Sequence, residues 1–380
     1  MRCTCVNNKE KYSWTNVAQH EQTEIPYSLI YRHRRSCTIV ENVVDEYWCV
    51  VAAPRSNCQS NADYSVLDTG RSKGVRAVAF HPDGKHLLGG SDDGMRRWRL
   101  ADGQEVRRQT GMRLQAISVS RDHRWVVCVT RKGTTVWDGE MQEKILDVDG
   151  DNTVYAVDVS PDSTRFATGS RAHKARIWNI TTGQRLVGPL KHDAEVNGIR
   201  FSPTGDRIAT AYFGGHSINM FDSQTGDKLV TIKIDIPRWG ATTPLAWSSD
   251  GQRIFATSRN SKIKAFDASS GTQLAESQIL HDDNDNVRSI TLATNNKFIA
   301  TFADHSISFL DTSTLARIGP VTEDSEWIWS LAISSDSSCL ATGRDHGKIV
   351  MRDLGKILPE SHGPFNVSIR DSMLLACRIS

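Results

Sequence analysis

The sequence predicts an all-β fold, a ring of seven sheets with four antiparallel strands each, and three observations lead to this prediction. A unit of three short runs with alternating apolar residues, separated by turn residues, is clearest in Val154–Gly183 and occurs seven times. Such alternation with punctuation is typical of consecutive antiparallel strands. The units recur every 39 to 46 residues, which is close to the period of a propeller blade. A ribbon of this size cannot cover its own apolar face, so neighbouring copies must pack together.

The copies align on the last apolar residue of the first strand in each unit. These residues are Phe80, Val119, Val159, Phe201, Trp247, Leu292 and Ile333. The turn that follows reads HPDG at His81–Gly84, SPDS at Ser160–Ser163 and SSDG at Ser248–Gly251. Pro presets φ at the first turn position, whereas Asp and Gly suit the later ones. Each hairpin is therefore specified by its own turn.

The third strand of each unit ends on a large residue that precedes a polar turn. The residues at this structural position are Trp98, Trp137, Trp178, Phe221, Phe266, Leu310 and Arg352. With the S-P-D-G-type turns and second strands such as FATGS and LATGR, the array resembles the WD-repeat (WD40) family. The resemblance covers about Val75 to Leu354 and implies a closed, seven-bladed WD40-type β-propeller. It also implies a platform for protein partners.

The family pattern includes a polar network that this sequence preserves only in part. The network places an Asp between the second and third strands and a His before the first strand. The Asp position is occupied by Asp92 or Asp93, Asp304, Arg131, Ala172, Asn260 and His346 in different copies. His precedes the first strand only as His192 and His281. We therefore expect apolar packing between blades to carry the stability.

The repeat divides the chain into three regions. Residues 1–60 form an N-terminal extension, expected to be partly disordered, with possible extra strands at Cys37–Val44 and Tyr47–Ala53. Residues 61–356 form the propeller, and residues 357–380 form a C-terminal tail or truncated extra strands. In the family, the strand before the first full unit completes the last blade and closes the ring. Ser65–Asp68 is the first candidate for this closing strand and Phe365–Arg370 is the second.

Composition argues against several classes of function. The 46 basic and 44 acidic residues give a net charge of +2, so no bulk field favours nucleic acid or an acidic membrane. No apolar run is long enough to span a bilayer. The eight cysteines are scattered, and the Cys3/Cys5 pair has no matching ligand pair, so free thiols are expected. These features predict a cytoplasmic, possibly nuclear, chain.

Catalytic and metal-binding motifs are not apparent in the sequence. The pairs His192-Asp193 and His281-Asp282 lie in polar loops where the family uses His structurally, and a metal site needs several converging ligands. A P-loop, a nucleophile elbow and a dinucleotide fingerprint in a strand-to-helix context are missing. The sequence therefore predicts no enzyme, no cofactor and no metal.

The residues that flank the start of each first strand form the predicted partner-binding surface. In the family fold they emerge on the narrow face around the central channel. The predicted binding residues are Arg76, Arg113, Gln115, Tyr155, Glu195, Asn197, Asn286, Arg288, Trp327 and Trp329. Trp, Tyr and Arg dominate binding hot spots, so the expected partner is a protein with a short acidic or aromatic-containing segment.

The facing of the two tryptophans decides whether they belong to that surface. If Trp327 and Trp329 were core residues, Ile328 between them would point outward, and the register to Ile333 argues against this. A single-residue bulge would reverse the facing.

Two other functions remain as alternatives to a non-catalytic scaffold. An enzyme that uses the central channel would need converging carboxylates or histidines, and the predicted rim holds one carboxylate, Glu195, and no His. An inert fragment of a larger signalling protein, such as a NACHT-type chain, would have dispensable ends. The oligomeric state is left open.

Overall fold

The computed structural model describes residues 4–7, 10–13, 64–70, 74–148, 153–212, 214–236, 244–280 and 287–362. The chain divides into two units, Met1–Ala53 and Pro54–Ser380. In the first unit, β1 (Thr4–Asn7) and β2 (Glu10–Ser13) pair as an antiparallel hairpin. The predicted strands Cys37–Val44 and Tyr47–Ala53 and the alternative closing strand Phe365–Arg370 lie outside the described residues.

The described strands of the second unit form seven four-stranded antiparallel sheets, which confirms the predicted seven-bladed propeller. Among the described residues of this unit, one strand precedes the first blade, β3 (Tyr64–Asp68). Blades 1 and 2 contain β4 (Ala77–Phe80), β5 (His86–Ser91), β6 (Gly94–Arg99), β7 (Glu105–Thr110), β8 (Leu114–Val119), β9 (Trp125–Thr130), β10 (Thr134–Asp138) and β11 (Lys144–Val148). Blades 3 and 4 contain β12 (Val154–Val159), β13 (Arg165–Ser170), β14 (Lys174–Asn179), β15 (Arg185–Lys191), β16 (Val196–Phe201), β17 (Arg207–Tyr212), β18 (Ser217–Asp222) and β19 (Lys228–Lys233).

The remaining blades continue in the same order. Blades 5 and 6 contain β20 (Leu245–Trp247), β21 (Arg253–Ser258), β22 (Lys262–Asp267), β23 (Gln273–Glu276), β24 (Ser289–Leu292), β25 (Phe298–Ala303), β26 (Ser306–Asp311) and β27 (Thr322–Glu323). Blade 7 contains β28 (Ile328–Ile333), β29 (Cys339–Arg344), a 3-10 turn (Asp345–Gly347) and β30 (Lys348–Asp353), and the helix α1 (Leu354–Ile357) follows it.

The ring is closed by a strand from the beginning of the propeller. β3 pairs antiparallel with β30, with Leu67 opposite Ile349, and so supplies the fourth strand of blade 7. The first strands of successive blades contact one another in chain order, and β28 contacts β4. The predicted closing strand, Ser65–Asp68, is thereby confirmed. Closure gives blade 7 the same four-stranded sheet as the other six blades.

Deleting residues 1–70 is expected to lower the melting temperature, because β30 loses its edge partner and the buried Leu67 is removed. Loss of this one side chain from the core should cost about 2 kcal/mol. Deleting residues 1–53, which leaves β3 in place, is the matched control and should leave the melting temperature near that of the full chain. Equal melting temperatures for the two deletions in a thermal scan would contradict the role of β3.

The core is divided among the interfaces between blades. Seven clusters of buried apolar residues are found in the described residues, and each joins two neighbouring blades. The large residues that end the third strands lie in six of these clusters, namely Trp98, Trp137, Trp178, Phe221, Phe266 and Leu310. Each blade thus buries its neighbour's apolar face as well as its own.

In blades 2, 3, 5 and 7 the turns between first and second strands share one hydrogen-bonding pattern. A buried Ser donates to the Asp two residues later, at 2.6 Å for Ser120 and Asp122 and again at 2.6 Å for Ser334 and Asp336. The same Ser hydroxyl accepts the backbone N–H of the residue that begins the second strand, as at Trp125. This side chain-to-backbone bonding explains why the short turn motif specifies the hairpin.

Residues 354–362 extend the propeller past blade 7. Leu354 and Leu358 pack in the cluster between blades 6 and 7. Nε2 of His362 lies 2.9 Å from a carboxylate oxygen of Asp311 in β26. Part of the segment assigned from sequence to the tail is therefore packed against blade 6.

Candidate functional site

One face of the ring is formed by the starts of the first strands and by the turns between second and third strands. We call it the first-strand face. In blades 2, 3, 4 and 7 the first strand begins with a one-residue bulge, and the extra residues are Gln115, Tyr155, Asn197 and Trp329. Bulges re-aim side chains and are common beside functional sites. The fold therefore repeats one irregular position around this face.

The two tryptophans of blade 7 lie on this face, one on each side of a buried isoleucine. Ile328 is fully buried, whereas Trp327 is 37 % exposed and Trp329 is half-buried. The bulge at Trp329 follows Ile328, so it shifts the register toward Ile333 without turning either indole inward.

These tryptophans are part of a stacked group that we call the tryptophan–arginine cluster: Arg288, Trp327, Trp329 and Arg76. The Arg288 guanidinium lies 4.7 Å from the centre of the Trp327 ring. The two indole centroids are 6.5 Å apart with planes tilted by 34°. The Arg76 guanidinium lies 5.3 Å from the centre of Trp329. The cluster crosses from blade 6 through blade 7 to blade 1.

Three aspartates hold the cluster in place. Nε of Arg288 donates to Asp304 at 2.6 Å. The indole N–H of Trp329 donates to Asp345 at 2.6 Å. The third contact is an ion pair, with Nε of Arg76 3.3 Å from Asp92. Each aspartate follows the second strand of the blade whose first-strand start it contacts, so the same backbone geometry orients each member. Charge-assisted contacts of this kind fix long side chains in one arrangement.

Close packing also restrains the side chains of the tryptophan–arginine cluster. A Cβ at Gly74 would lie 2.5 Å from Nε1 of Trp329, so a larger residue there would displace the indole. The ring of His305 packs edge-on against Trp327, with centroids 5.3 Å apart. The tryptophan–arginine cluster is therefore preorganised rather than a set of loose surface side chains.

The other predicted binding residues are less concentrated. Tyr155 and Glu195 are half-buried neighbours. Burial, followed by the charge and the hydrogen bond of Glu195, raises the pKa of the Tyr155 hydroxyl. Arg171 joins them, with Nε 3.2 Å from the Glu195 carboxylate. Arg113 is exposed and Gln115 is half-buried. These residues lie on blades 2 to 4, away from the tryptophan–arginine cluster in blade order.

Two predicted binding residues are not available on the described surface. Asn197, the extra residue of the bulge in blade 4, is only 1 % exposed. Its placement among partner-contacting residues is corrected accordingly. Asn286 lies outside the described residues.

The turn position that carries the family's aspartate is also corrected. The first residue after the second strand is Asp345 in blade 7, whereas the comparison of the seven repeats places His346 there. In blades 3 and 5 it is Arg171 and Arg259 rather than Ala172 and Asn260. A one-residue difference in turn length, which the sequence pattern does not reveal, accounts for these shifts. Blade 7 thereby joins blades 1 and 6 in carrying the aspartate.

Parts of the family's polar network are present in blades 3 and 4. Nε1 of Trp178 donates to the Thr168 hydroxyl at 2.9 Å. His192 lies 2.8 Å from the Thr210 hydroxyl and 3.0 Å from the Leu190 carbonyl oxygen. Burial lowers the pKa of His192 to about 4, so its imidazole is neutral near pH 7. These contacts support the structural role that the sequence assigns to His192.

Sequence reasoning missed a buried charge group in blade 7. Arg352 stands where blades 1 to 3 carry Trp, and its Nη2 donates to the Asp324 carboxylate at 2.9 Å. Arg344 pairs with the same carboxylate oxygen. Asp324 is contributed by the connection from blade 6, and its side chain is 1 % exposed. The Arg at the Trp position could have indicated a buried ion pair in blade 7. The sequence of the connection between blades 6 and 7 did not show that Asp324, rather than a neighbouring acidic residue, would be the partner.

The closed ring of seven four-stranded sheets is a β-propeller, and the tryptophan–arginine cluster lies on its first-strand face. A family model described as "WD domain, G-beta repeat" matches residues 64–98, 142–179, 184–222 and 318–353. The first match begins at β3, so each repeat joins the outer strand of one blade to the next blade. The chain belongs to the WD-repeat β-propellers.

Individual relatives have moderate similarity to the chain. It is 26 % identical over 184 residues to eukaryotic translation initiation factor 3 subunit I from Aspergillus terreus, covering 45 % of this chain and 53 % of the relative. It is 31 % identical over 119 residues to small ribosomal subunit protein RACK1 from Drosophila melanogaster, covering 30 % and 36 %. It is 23 % identical over 308 residues to the intraflagellar transport protein 122 homolog from Xenopus tropicalis, covering 78 % and 25 %. The chain therefore spans about half or less of the length of these relatives.

Within the described residues, no helix has the length and apolar character needed to cross a bilayer.

Proposed function

We propose that this chain is a non-catalytic scaffold that binds a protein partner at the tryptophan–arginine cluster on its first-strand face. The observation that carries the proposal is the continuous stack of Arg288, Trp327, Trp329 and Arg76 across three blades. Preformed aromatic and Arg surfaces lose little conformational entropy on binding and are typical hot spots. Initiation factor 3 subunit I and RACK1 are named as parts of larger assemblies, which agrees with such a role.

The ion pairs refine the kind of partner that the cluster favours. Arg76 and Arg288 each contact an aspartate of their own blade, so an acidic partner group would have to compete for them. The exposed indole of Trp327 offers an apolar face that needs no such exchange. We therefore propose that the partner binds through a segment whose aromatic or apolar side chain stacks on Trp327. Acidic groups of the same segment would contact the exposed Arg113 on blade 2.

The enzyme alternative needs carboxylates free to act on a substrate. On blades 6, 7 and 1 the aspartates nearest the cluster are each engaged by Arg288, Trp329 or Arg76. This engagement favours a positioning role for the carboxylates and supports the scaffold proposal. We also propose a cytoplasmic setting, which suits relatives named as a translation initiation factor subunit and a ribosomal subunit protein.

Site-specific photo-crosslinking in the native cell tests the location of the surface. A photoreactive phenylalanine analogue at position 327 is expected to capture one main protein partner, and the same analogue at position 274 is the matched control. Leu274 is 54 % exposed on the outer strand of blade 5, so it has comparable access to solvent. Equal capture of the same proteins from both positions would contradict a specific surface at the cluster.

A further inference from the structure

The turn of blade 1 between β4 and β5 differs from the corresponding turns of other blades. It has His81 where other turns have Ser120, Ser160, Ser202, Ser248 and Ser334. A second histidine, His86, begins β5, and Asp83 occupies the usual Asp position. Among the described residues, His81, Asp83 and His86 are the one group of three or more His, Cys, Asp or Glu side chains whose ligand atoms all lie within 4.8 Å of one another.

The three side chains converge on one point. Nδ1 of His81 lies 3.0 Å from Oδ2 of Asp83. Nδ1 of His86 lies 2.6 Å from the same oxygen. His81 is buried, and the other two side chains are about one-fifth exposed. Two imidazole nitrogens and one carboxylate oxygen thus face a common position from a single hairpin.

Hydrogen bonding alone does not satisfy both imidazoles. Nδ1 of His86 faces the Asp83 carboxylate, to which it would have to donate, and also the Arg97 guanidinium at 3.1 Å, from which it would have to accept. Nδ1 of His81 faces the same carboxylate and accepts the Asp83 backbone N–H at 3.4 Å. One ring nitrogen cannot donate and accept at the same time. The buried Nε2 of His81 has no hydrogen-bond partner in the described structure, so nothing there fixes the tautomer of the ring.

We propose that His81, Asp83 and His86 form a binding site for a divalent transition-metal ion, with Zn²⁺ as the best fit. A cation accepts both Nδ1 lone pairs and the carboxylate oxygen together, so neither nitrogen has to donate to Asp83, and the N–H groups of Asp83 and Arg97 give up their contacts with these nitrogens. Two imidazoles and one carboxylate are a ligand set that Zn²⁺ prefers, with a fourth position for water.

The surroundings allow an ion to enter. A cleft of about 140 Å³ borders His86 and is lined by Arg97, Arg99, Arg107, Val106 and Glu140. Nη2 of Arg97 lies 3.6 Å from Oδ2 of Asp83, and Arg97 also pairs with Glu140 of the β10–β11 turn. An ion at the site would therefore displace the guanidinium from Asp83 and His86 and leave it paired with Glu140. The bound ion would therefore fix the first turn of blade 1 beside blade 2.

Equilibrium dialysis of the purified chain against Zn²⁺, and absorption spectroscopy with Co²⁺, test the site. All proteins carry Cys3→Ser and Cys5→Ser, which removes the Cys3/Cys5 pair as an alternative metal-binding site. His81→Ser restores the residue that five other turns use and is expected to fold, and His86→Gln removes the second imidazole. His216→Gln removes a histidine that lies beside Asp235 on the exposed surface of blade 4, and it is the matched control.

We expect the parent protein and His216→Gln to bind one ion with similar affinity, and His81→Ser and His86→Gln to bind it at least ten-fold more weakly. Zn²⁺ should also raise the melting temperature of the parent protein and not that of His81→Ser. Absence of binding by the parent, or equal binding by all four proteins, would overturn the proposal and leave the turn as a hydrogen-bonded hairpin.

Discussion

Asp324→Ala is expected to lower the free energy of unfolding by about 3–5 kcal/mol, because it leaves two guanidinium groups buried without their carboxylate. Arg344 and Arg352 both contact Oδ2 of Asp324, and each of these side chains is only 9 % exposed. Nη1 of Arg352 retains one contact, 3.3 Å from the Thr342 hydroxyl, which is too weak to offset a buried charge. Urea titration monitored by tryptophan fluorescence measures the effect.

The control for this substitution is an exposed ion pair. Lys144 and Asp147 pair at 2.7 Å on the outer strand of blade 2, with both side chains about half exposed. Asp147→Ala should cost less than about 1 kcal/mol, because exposed pairs contribute little. If Asp324→Ala and Asp147→Ala have the same small effect, the ion pairs of Asp324 with Arg344 and Arg352 do not stabilise the interface between blades 6 and 7.

Trp178→Ala is expected to cost about 3–5 kcal/mol, as truncation of a buried aromatic side chain leaves a cavity. The indole stacks on Phe166 with centroids 6.3 Å apart and packs in the cluster shared by blades 2 and 3. Phe266→Ala, at the same position of blade 5, should have a comparable or slightly smaller effect. Both are measured as shifts in the unfolding midpoint in denaturant.

Two further variants separate packing from hydrogen bonding at Trp178. Trp178→Phe keeps an aromatic ring but loses the bond to Thr168, so it should cost about 1 kcal/mol for the hydrogen bond in addition to any loss of packing. Leu229→Ala, on the exposed outer strand of blade 4, should lie within about 0.5 kcal/mol of the parent. A near-neutral result for Trp178→Ala would mean that the third strand does not face the neighbouring blade.

The features of the fold that sequence predicted are those with local causes. Turns such as Ser160–Ser163 are specified by their own side chains, and the repeat spacing then places seven similar units in register. The closing strand followed from the position of Ser65–Asp68 before the first full unit. Its pairing with β30 is long-range, but the repeat leaves one blade short of a strand, and so the partner could be inferred.

The details of the site depend on contacts that a linear pattern does not encode. Trp327 is exposed and Ile328 is buried, as expected from the sequence, whereas nothing in the strand pattern indicated that Asn197 would be buried. The pairing of Arg76 with Asp92 joins residues 16 positions apart across a hairpin, and it changes the partner chemistry that a list of exposed arginines suggests. His81 reads as a turn residue in sequence, and only its distance from Asp83 and His86 indicates a ligand group.

The dissociation constant of the partner segment captured at position 327 is the most direct measure of the proposed binding surface. Titration of that segment into purified wild type, Trp327→Ala and Leu274→Ala should give a loss of about 2 kcal/mol, or roughly 30-fold, for Trp327→Ala alone. Arg113→Gln, measured alongside, reports any contribution from acidic groups of the segment. Unchanged affinity for Trp327→Ala, with its melting temperature equal to that of wild type, would contradict binding at the tryptophan–arginine cluster.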